Sequence, residues 1–464
     1  MPAQFENMLR RTPEPCPRIH TKHRRITTDL PVPESLEILE AAVARFPQVN
    51  SYQPPIVWDK AHGYQVFDRF GNCWIDFTST AVMTNSGHGH PAVRDALQQY
   101  LKDGMLAQFS WVSEIRIELA ERLIGIAPDG CDKVYFWTVG SEATECALRL
   151  AREYSRRQNP NKTRIITHSG DYHGWTLGAH QLSGTSAQKE WLSDPDRQIH
   201  HIPFPNQIDA APDTDWPTFF DDSMAQLSRN GIEPSQVAGI FFETIQGWSA
   251  LPLPTEYVQR ARQWADENDV LLIFDEIQTG FGRTGKWFGH EHYNVRPDLL
   301  CIGKGLSSSL PIAAVLGPSH VLDVLSPGEV TSTHAAHPVS CAAALANLQV
   351  LEDEGLITAA AEKGEIARRE LSALQQRFPD HIAGVSGLGL LNAIRFQNPE
   401  TKEPDFELAR EVTWSAVKNG VMLFFTGQPT VKVCPPLVIP EDAIIEGITT
   451  VGEVLGSVLT QTNV

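Results

Sequence analysis

Val270-Leu-Leu-Ile-Phe-Asp275-Glu-Ile-Gln-Thr-Gly280 decides the fold. Five apolar side chains in succession leave no face for water, so the run reads as a strand covered on both sides, as in parallel sheets. It ends on a carboxylate, and in an open parallel sheet ligands collect at the carboxyl ends of the strands. Working outward, comparable apolar runs occupy Lys133–Trp137, Arg164–His168, Val237–Glu243, Leu299–Ile302 and residues 312–316, several of them separated by helical periodicity. That alternation predicts an α/β body around a mostly parallel sheet.

Upstream, residues 31–65 are Pro-rich and irregular, and the run from Gln65 to Phe77 reads as a hairpin about Gly71-Asn72. Two helical patterns follow between Pro91 and Ile126, the second with Ile115, Leu119 and Leu123 on one face. After Pro338 a long helical pattern runs to Glu354, and a helix–strand–strand–helix region fills the remainder. The expected division is an N-terminal segment, 1–85, joining a smaller domain; a large domain, 86–338; and a small C-terminal α+β domain, 339–464.

A chain of 464 residues with 42% hydrophobic content can bury two cores. A formal net charge of -18 repels phosphate backbones and anionic lipids, so neither nucleic acid nor membrane is expected as a partner. The seven cysteines are scattered and mostly set in apolar runs, which suits reduced core thiols and a cytoplasmic protein. No apolar stretch is expected to reach spanning length, and residues 1–28 lack the apolar core of a secretory signal. The basic cluster His20-Thr-Lys-His-Arg-Arg25 is read as a solvated or subunit-contacting arm, with an address as the alternative.

Four strand ends carry polar residues. Asp275 either pairs with a cationic ring nitrogen or caps a helix. Lys304, in Cys301-Ile-Gly-Lys304-Gly305, is either a surface loop lysine or a desolvated amine able to form an imine with a carbonyl cofactor. At Thr138-Val-Gly140-Ser141-Glu, glycine, a hydroxyl and a helix N-terminus suit a phosphate, or equally ordinary capping. Tyr172, in Asp171-Tyr172-His173-Gly174, either stacks on a flat heterocycle or seals the core. No metal is expected: His173 has no second ligand at suitable spacing, and the two histidines of Gly87-His-Gly-His-Pro91 cannot both face one ion from a strand.

Together these segments resemble the class III aminotransferases, the fold type I pyridoxal-phosphate enzymes that include ornithine and 4-aminobutyrate aminotransferases. The resemblance covers nearly the whole chain and is most specific in residues 272–285 and 297–305. It implies a mostly parallel seven-stranded sheet in the large, cofactor-binding domain and a smaller α+β domain. It also implies pyridoxal 5'-phosphate as a Schiff base on Lys304, Asp275 at the pyridine nitrogen, Gln278 near the ring hydroxyl, and Ile277 and Tyr172 on opposite ring faces. Gly140 and Ser141 match the phosphate turn. Thr333 matches a threonine that reaches the phosphate of the partner subunit, which implies an obligate homodimer with shared sites, alone or within a tetramer.

Two departures stand out. Relatives that bind an α-carboxylate commonly carry Arg before Pro-Pro-Leu, where this chain has Lys432, and lysine lacks arginine's planar two-pronged grip. Glu243 matches the glutamate that pairs with that cation, so a Glu243–Lys432 pair is expected. His334-Ala-Ala-His337 stands where many relatives carry Phe-Gly-Gly-Asn, which alters the phosphate-side loop. Phe109, Trp111 and Trp248 fall in segments that border the site in relatives, and Trp111 is expected to contact substrate with Glu243 and Lys432. The implied reaction moves an amino group between an amino acid or amine and a keto acid or aldehyde by a ping-pong route. Racemases, epimerases and lyases use the same lysine and aspartate on this fold and form the second reading.

Overall fold

The computed structural model describes residues 8–47, 53–102, 104–184 and 186–462. The chain divides into two units, one of residues 91–247 and 251–357, the other of residues 1–90, 248–250 and 358–464.

The larger unit is built on a seven-stranded sheet ordered Lys133–Trp137, Ala313–Gly317, Leu299–Ile302, Leu271–Asp275, Val237–Glu243, Arg164–His168, Ile199–Ile202. Ala313–Gly317 pairs antiparallel with both neighbours, and the other described pairings are parallel. Leu272, Ile273 and Phe274 have no solvent exposure, nor do Ile240, Phe241 and Phe242 beside them. Each such side chain stabilises the fold by about 1.5–3 kcal/mol relative to exposure, so the central strands form the core as their unbroken hydrophobicity requires. One strand escapes the sequence reading: Ile199-His-His-Ile202 lies at the sheet edge, where two histidines interrupt the apolar run.

Register is what positions the site. Asp275 pairs opposite Glu243 on one side and Cys301 on the other, so the ends of three neighbouring strands reach the same edge of the sheet. The helix Gly140–Gln158 follows the strand Lys133–Trp137 and buries Ala143, Ala147, Leu150 and Ala151. The helix Pro338–Asp353 falls in this larger unit.

The smaller unit carries an antiparallel sheet ordered Ile382–Leu388, Leu391–Phe396, Thr430–Val433, Phe424–Phe425, in which Lys432 stands opposite Ala393 and Phe424. The hairpin expected about Gly71-Asn72 forms, with Phe67 opposite Cys73. The basic N-terminal cluster is not solvated throughout: Arg24 pairs with Glu446 at 2.8 Å and Lys22 with Asp442 at 2.5 Å. His88 Nε2 meets Asp76 Oδ2 at 2.7 Å. All seven cysteines are buried and free.

Two expectations need correction. Residues 31–65, read as irregular, hold the helix Leu36–Arg45 and the strand Lys60–His62. The window Glu441–Thr460 is long and apolar enough, by length and composition, to cross a membrane. More than half of it is buried inside the protein, with Ile444, Ile448, Val451 and Leu455 fully covered, which is how a core helix is used.

Candidate active site

Asp275 ends its strand 6% exposed, with Oδ1 accepting from the Ile277 amide at 3.0 Å and Oδ2 lying 2.9 Å from His173 Nδ1. Behind His173 runs a buried polar chain. His173 Nε2 approaches Thr167 Oγ1 at 3.4 Å, and the neighbouring Asp171 Oδ2 takes His168 Nδ1 at 3.2 Å and the Glu243 amide at 3.2 Å. His168 in turn contacts the Tyr257 hydroxyl at 2.8 Å and stacks on Phe242. Burial in an apolar sheet is expensive for such groups unless each finds a partner, and here they partner one another.

Glu243, 3% exposed, accepts from the amides of Tyr172 at 2.8 Å and Gly247 at 3.0 Å. Burial pushes its carboxyl well above the usual range, and the nearby Asp171 and Asp275 carboxylates push the same way. Glu276, the next residue after Asp275, is raised by burial to about 7 while accepting from Thr279 Oγ1 and the Gly289 and His290 amides.

Lys304 opens a short 3-10 turn at the end of the strand Leu299–Ile302 with φ +39, a left-handed conformation disfavoured for any residue with a β-carbon. The turn is held from outside: Asn347 Nδ2 donates to the carbonyls of Gly305 and Leu306 at 2.8 and 2.9 Å. Burial lowers the lysine amine, opposed by the Asp275 and Glu243 carboxylates. A surface loop lysine would show neither the desolvation nor the two carboxylates.

The phosphate turn is shaped by close contacts. A β-carbon at Gly140 would lie 2.9 Å from Ile277 Cδ1, and one at Gly174 would lie 2.1 Å from Ser141 Oγ. Glycine at both positions lets the first turn of the helix Gly140–Gln158 pack against Ile277 and the Tyr172 segment, with its amide end open to an anion. Glu142 caps that turn, accepting from the Thr138 amide at 2.8 Å and from Ser332 Oγ at 3.2 Å, which ties the turn to the segment containing Thr333. Gln278 Nε2 and Glu243 Oε1 both border Gly247.

Gly140, Ser141, Tyr172, Glu243, Asp275, Ile277, Gln278 and Lys304 are thus linked at or beside one sheet edge. Thr333 and Trp111 belong to the same unit and are exposed, Trp111 by 72%. Lys432 and Trp248 belong to the other unit, where Lys432 is 4% exposed. Glu142 takes the capping role that is one of the two readings of its turn. His173, Asp171 and Asn347 were not expected as supporting residues, and of these His173 carried a signal, as a histidine next to the ring-stacking candidate. Among the described residues no cluster of three or more His, Cys, Asp or Glu suits a metal.

The residues fit a flat, phosphorylated pyridine aldehyde: a carboxylate for a ring nitrogen, an amine for the aldehyde, an aliphatic side chain and an aromatic one for its faces, and a helix N-terminus for the phosphate. The comparisons agree. The family model for class-III aminotransferases matches residues 47–455. A probable 4-aminobutyrate aminotransferase of Bacillus subtilis is 32% identical over 84% of this chain and 90% of its own length. An isoleucine 2-epimerase of Lentilactobacillus buchneri is 33% identical over 86% and 89%. The solved ornithine aminotransferase of Toxoplasma gondii superposes with a TM-score of 0.81 at 27% identity, covering 93% of this chain and 97% of the other. The chain belongs to the class-III aminotransferase family, and it is a pyridoxal-phosphate-dependent transferase of amino groups.

Proposed function

We propose that the protein takes the amino group from an amino acid or amine and passes it to a keto acid or aldehyde in two half-reactions, with Lys304 as the residue that holds the cofactor and moves the proton. The observation that carries this reading is the convergence of Lys304, Asp275 and Glu243 at one sheet edge, with the lysine amine lowered by burial. When bound, pyridoxal phosphate supplies an aldehyde that condenses with amines and a cationic ring that takes up the electron pair left by a departing proton.

The chain's own residues do the rest. Asp275, held at Oδ1 by the Ile277 amide and at Oδ2 by His173, faces a ring nitrogen as a carboxylate and keeps its proton in place. Lys304 Nζ, neutral once displaced by substrate, would accept the proton from the substrate carbon and return it to the cofactor's former aldehyde carbon, two atoms further along. Ile277 and Tyr172 would pack on the ring faces, Gln278 would reach the ring hydroxyl, and Gly140 and Ser141 would hold the phosphate with Thr333 of the partner subunit. Lys432 would take the substrate carboxylate as a point charge, and Trp111 would border the pocket.

A homodimer follows from the Thr333 assignment and is supported by the exposed Met105, Leu106, Phe109, Trp111 and Val112, a run of apolar side chains that a second copy would cover. The seven free cysteines support a reducing, cytoplasmic setting.

A panel of single amines, covering ω-amino acids, α-amino acids and amino sugars, tests the reaction type. Incubated with the loaded enzyme and no keto acid, a transaminase releases one equivalent of carbonyl product per subunit and stops. Catalytic racemisation or epimerisation under those conditions would replace transamination with the second reading, which the epimerase relative keeps in view.

A further inference from the structure

One side chain fastens two loops of the larger unit. Arg116, on the helix Glu114–Ile126, donates from Nε to the Ala336 carbonyl at 2.8 Å. Its Nη1 reaches the carbonyls of Phe109 at 2.5 Å and Trp111 at 2.8 Å, and its Nη2 those of Gln108 at 2.7 Å and Ala335 at 3.1 Å. A guanidinium has five N–H bonds, and here five carbonyls accept from them. A lysine at this position would offer three donors at one point and could not serve two loops from a planar fork.

The turn it holds needs holding. Ala336 sits at φ +48 and is 4% exposed. A β-carbon disfavours that conformation, so the sequence of the turn does not by itself select it. The Arg116 bonds fall on the carbonyls of Ala335 and Ala336, at and just before the strained residue. Four residues earlier the segment is tethered again, by Ser332 Oγ to Glu142 Oε1 and to Thr138 Oγ1, both at 3.2 Å. Thr333 lies between the two fastenings.

We infer that Arg116 is a positioning residue: it holds the turn around Ala336 in its left-handed form, and through it sets Thr333 for the cofactor phosphate, while tying the Phe109–Trp111 segment to the same turn. This rests on the reading of Thr333 as a phosphate contact. It makes the Phe109–Trp111 segment and the phosphate loop one mechanical body, joined at Arg116.

The test is the pyridoxal phosphate dissociation constant of the full-length protein, measured by equilibrium dialysis alongside the melting temperature. Arg116→Met should weaken cofactor binding about tenfold, the scale of one or two lost hydrogen bonds to a charged group. Adding Ala336→Gly should recover most of that loss, because glycine takes the left-handed conformation freely. Ala336→Gly alone should change affinity less than about twofold. Arg116→Lys should fall between wild type and Met, and it carries the same comparison if the Met variant does not fold. Wild-type affinity in Arg116→Met, or a double variant as weak as the single one, overturns the inference. Thr333→Ala separates the two levels. If it leaves affinity unchanged, the Thr333 reading fails, whereas weakened binding there with none in Arg116→Met removes only the role of Arg116.

Discussion

His173 Nδ1 lies 2.9 Å from Asp275 Oδ2, and both side chains are buried. The ring therefore holds one oxygen of the carboxylate proposed to meet the cofactor nitrogen, and it fixes the direction in which Asp275 points. His173→Phe removes a hydrogen bond to a charged group, worth about 1.5–3 kcal/mol, so kcat/KM should fall roughly tenfold to a hundredfold. His173→Asn, which can still donate, should retain more. Steady-state kinetics of both variants at equal cofactor occupancy decide it, and equal activity of the Phe variant and wild type would remove His173 from the machinery.

Lys304→Ala should lose activity by at least a factor of about a hundred, the lower range for removing a general acid–base group. Borohydride reduction followed by denaturation gives a second readout. The wild-type chain should keep the cofactor's mass on the peptide containing Lys304, and the variant should keep none. A labelled peptide elsewhere in the wild type would show that another lysine holds the cofactor.

Much of this site is readable from the chain, and the rest is not, for a physical reason. Asp275 and Lys304 each follow an apolar run, and strand ends in a parallel sheet are where ligands gather, so their positions follow from local pattern. Which neighbours support them does not. His173 and Asp275 are 102 residues apart and meet only because the strands Arg164–His168 and Leu271–Asp275 flank Val237–Glu243. Asn347 steadies the Lys304 turn from a helix 41 residues away, with nothing local to announce it. Ile199–Ile202 is hidden because an edge strand need not be apolar throughout, and the spanning-length window Glu441–Thr460 because a buried helix and a membrane span share a composition.

Lys432, read as replacing an arginine common in relatives that bind an α-carboxylate, is almost wholly buried. If it meets the substrate carboxylate, Lys432→Ala should raise KM for carboxylated donors by roughly tenfold to a hundredfold and leave simple amines nearly unaffected. Unchanged KM for every carboxylated substrate would exclude the contact.

Val112 is 81% exposed and Trp111 72%, next to Phe109 and Leu106. A charge placed within such a patch is tolerated by a monomer and penalised by an interface. If the patch is a dimer interface and Thr333 serves the partner, Val112→Glu should shift the protein from dimer towards monomer in sedimentation velocity and weaken cofactor retention with it. A monomeric wild type would end the shared-site reading.

Glu276 offers a pH test with a definite sign. Burial raises its carboxyl from the ordinary 4.5 to about 7 in the folded chain. Between those values the folded state keeps a proton that the unfolded chain has released, so stability declines as pH rises through this window. The effect is bounded at a few kcal/mol, since one pKa unit corresponds to about 1.4 kcal/mol. Glu276→Gln cannot ionise and should flatten this part of the profile. It should also lower stability at pH 5, because an amide offers one acceptor oxygen where Thr279, Gly289 and His290 now share two. Denaturant midpoints of both proteins from pH 4.5 to 7.5 measure this, and parallel profiles would show that Glu276 does not titrate there.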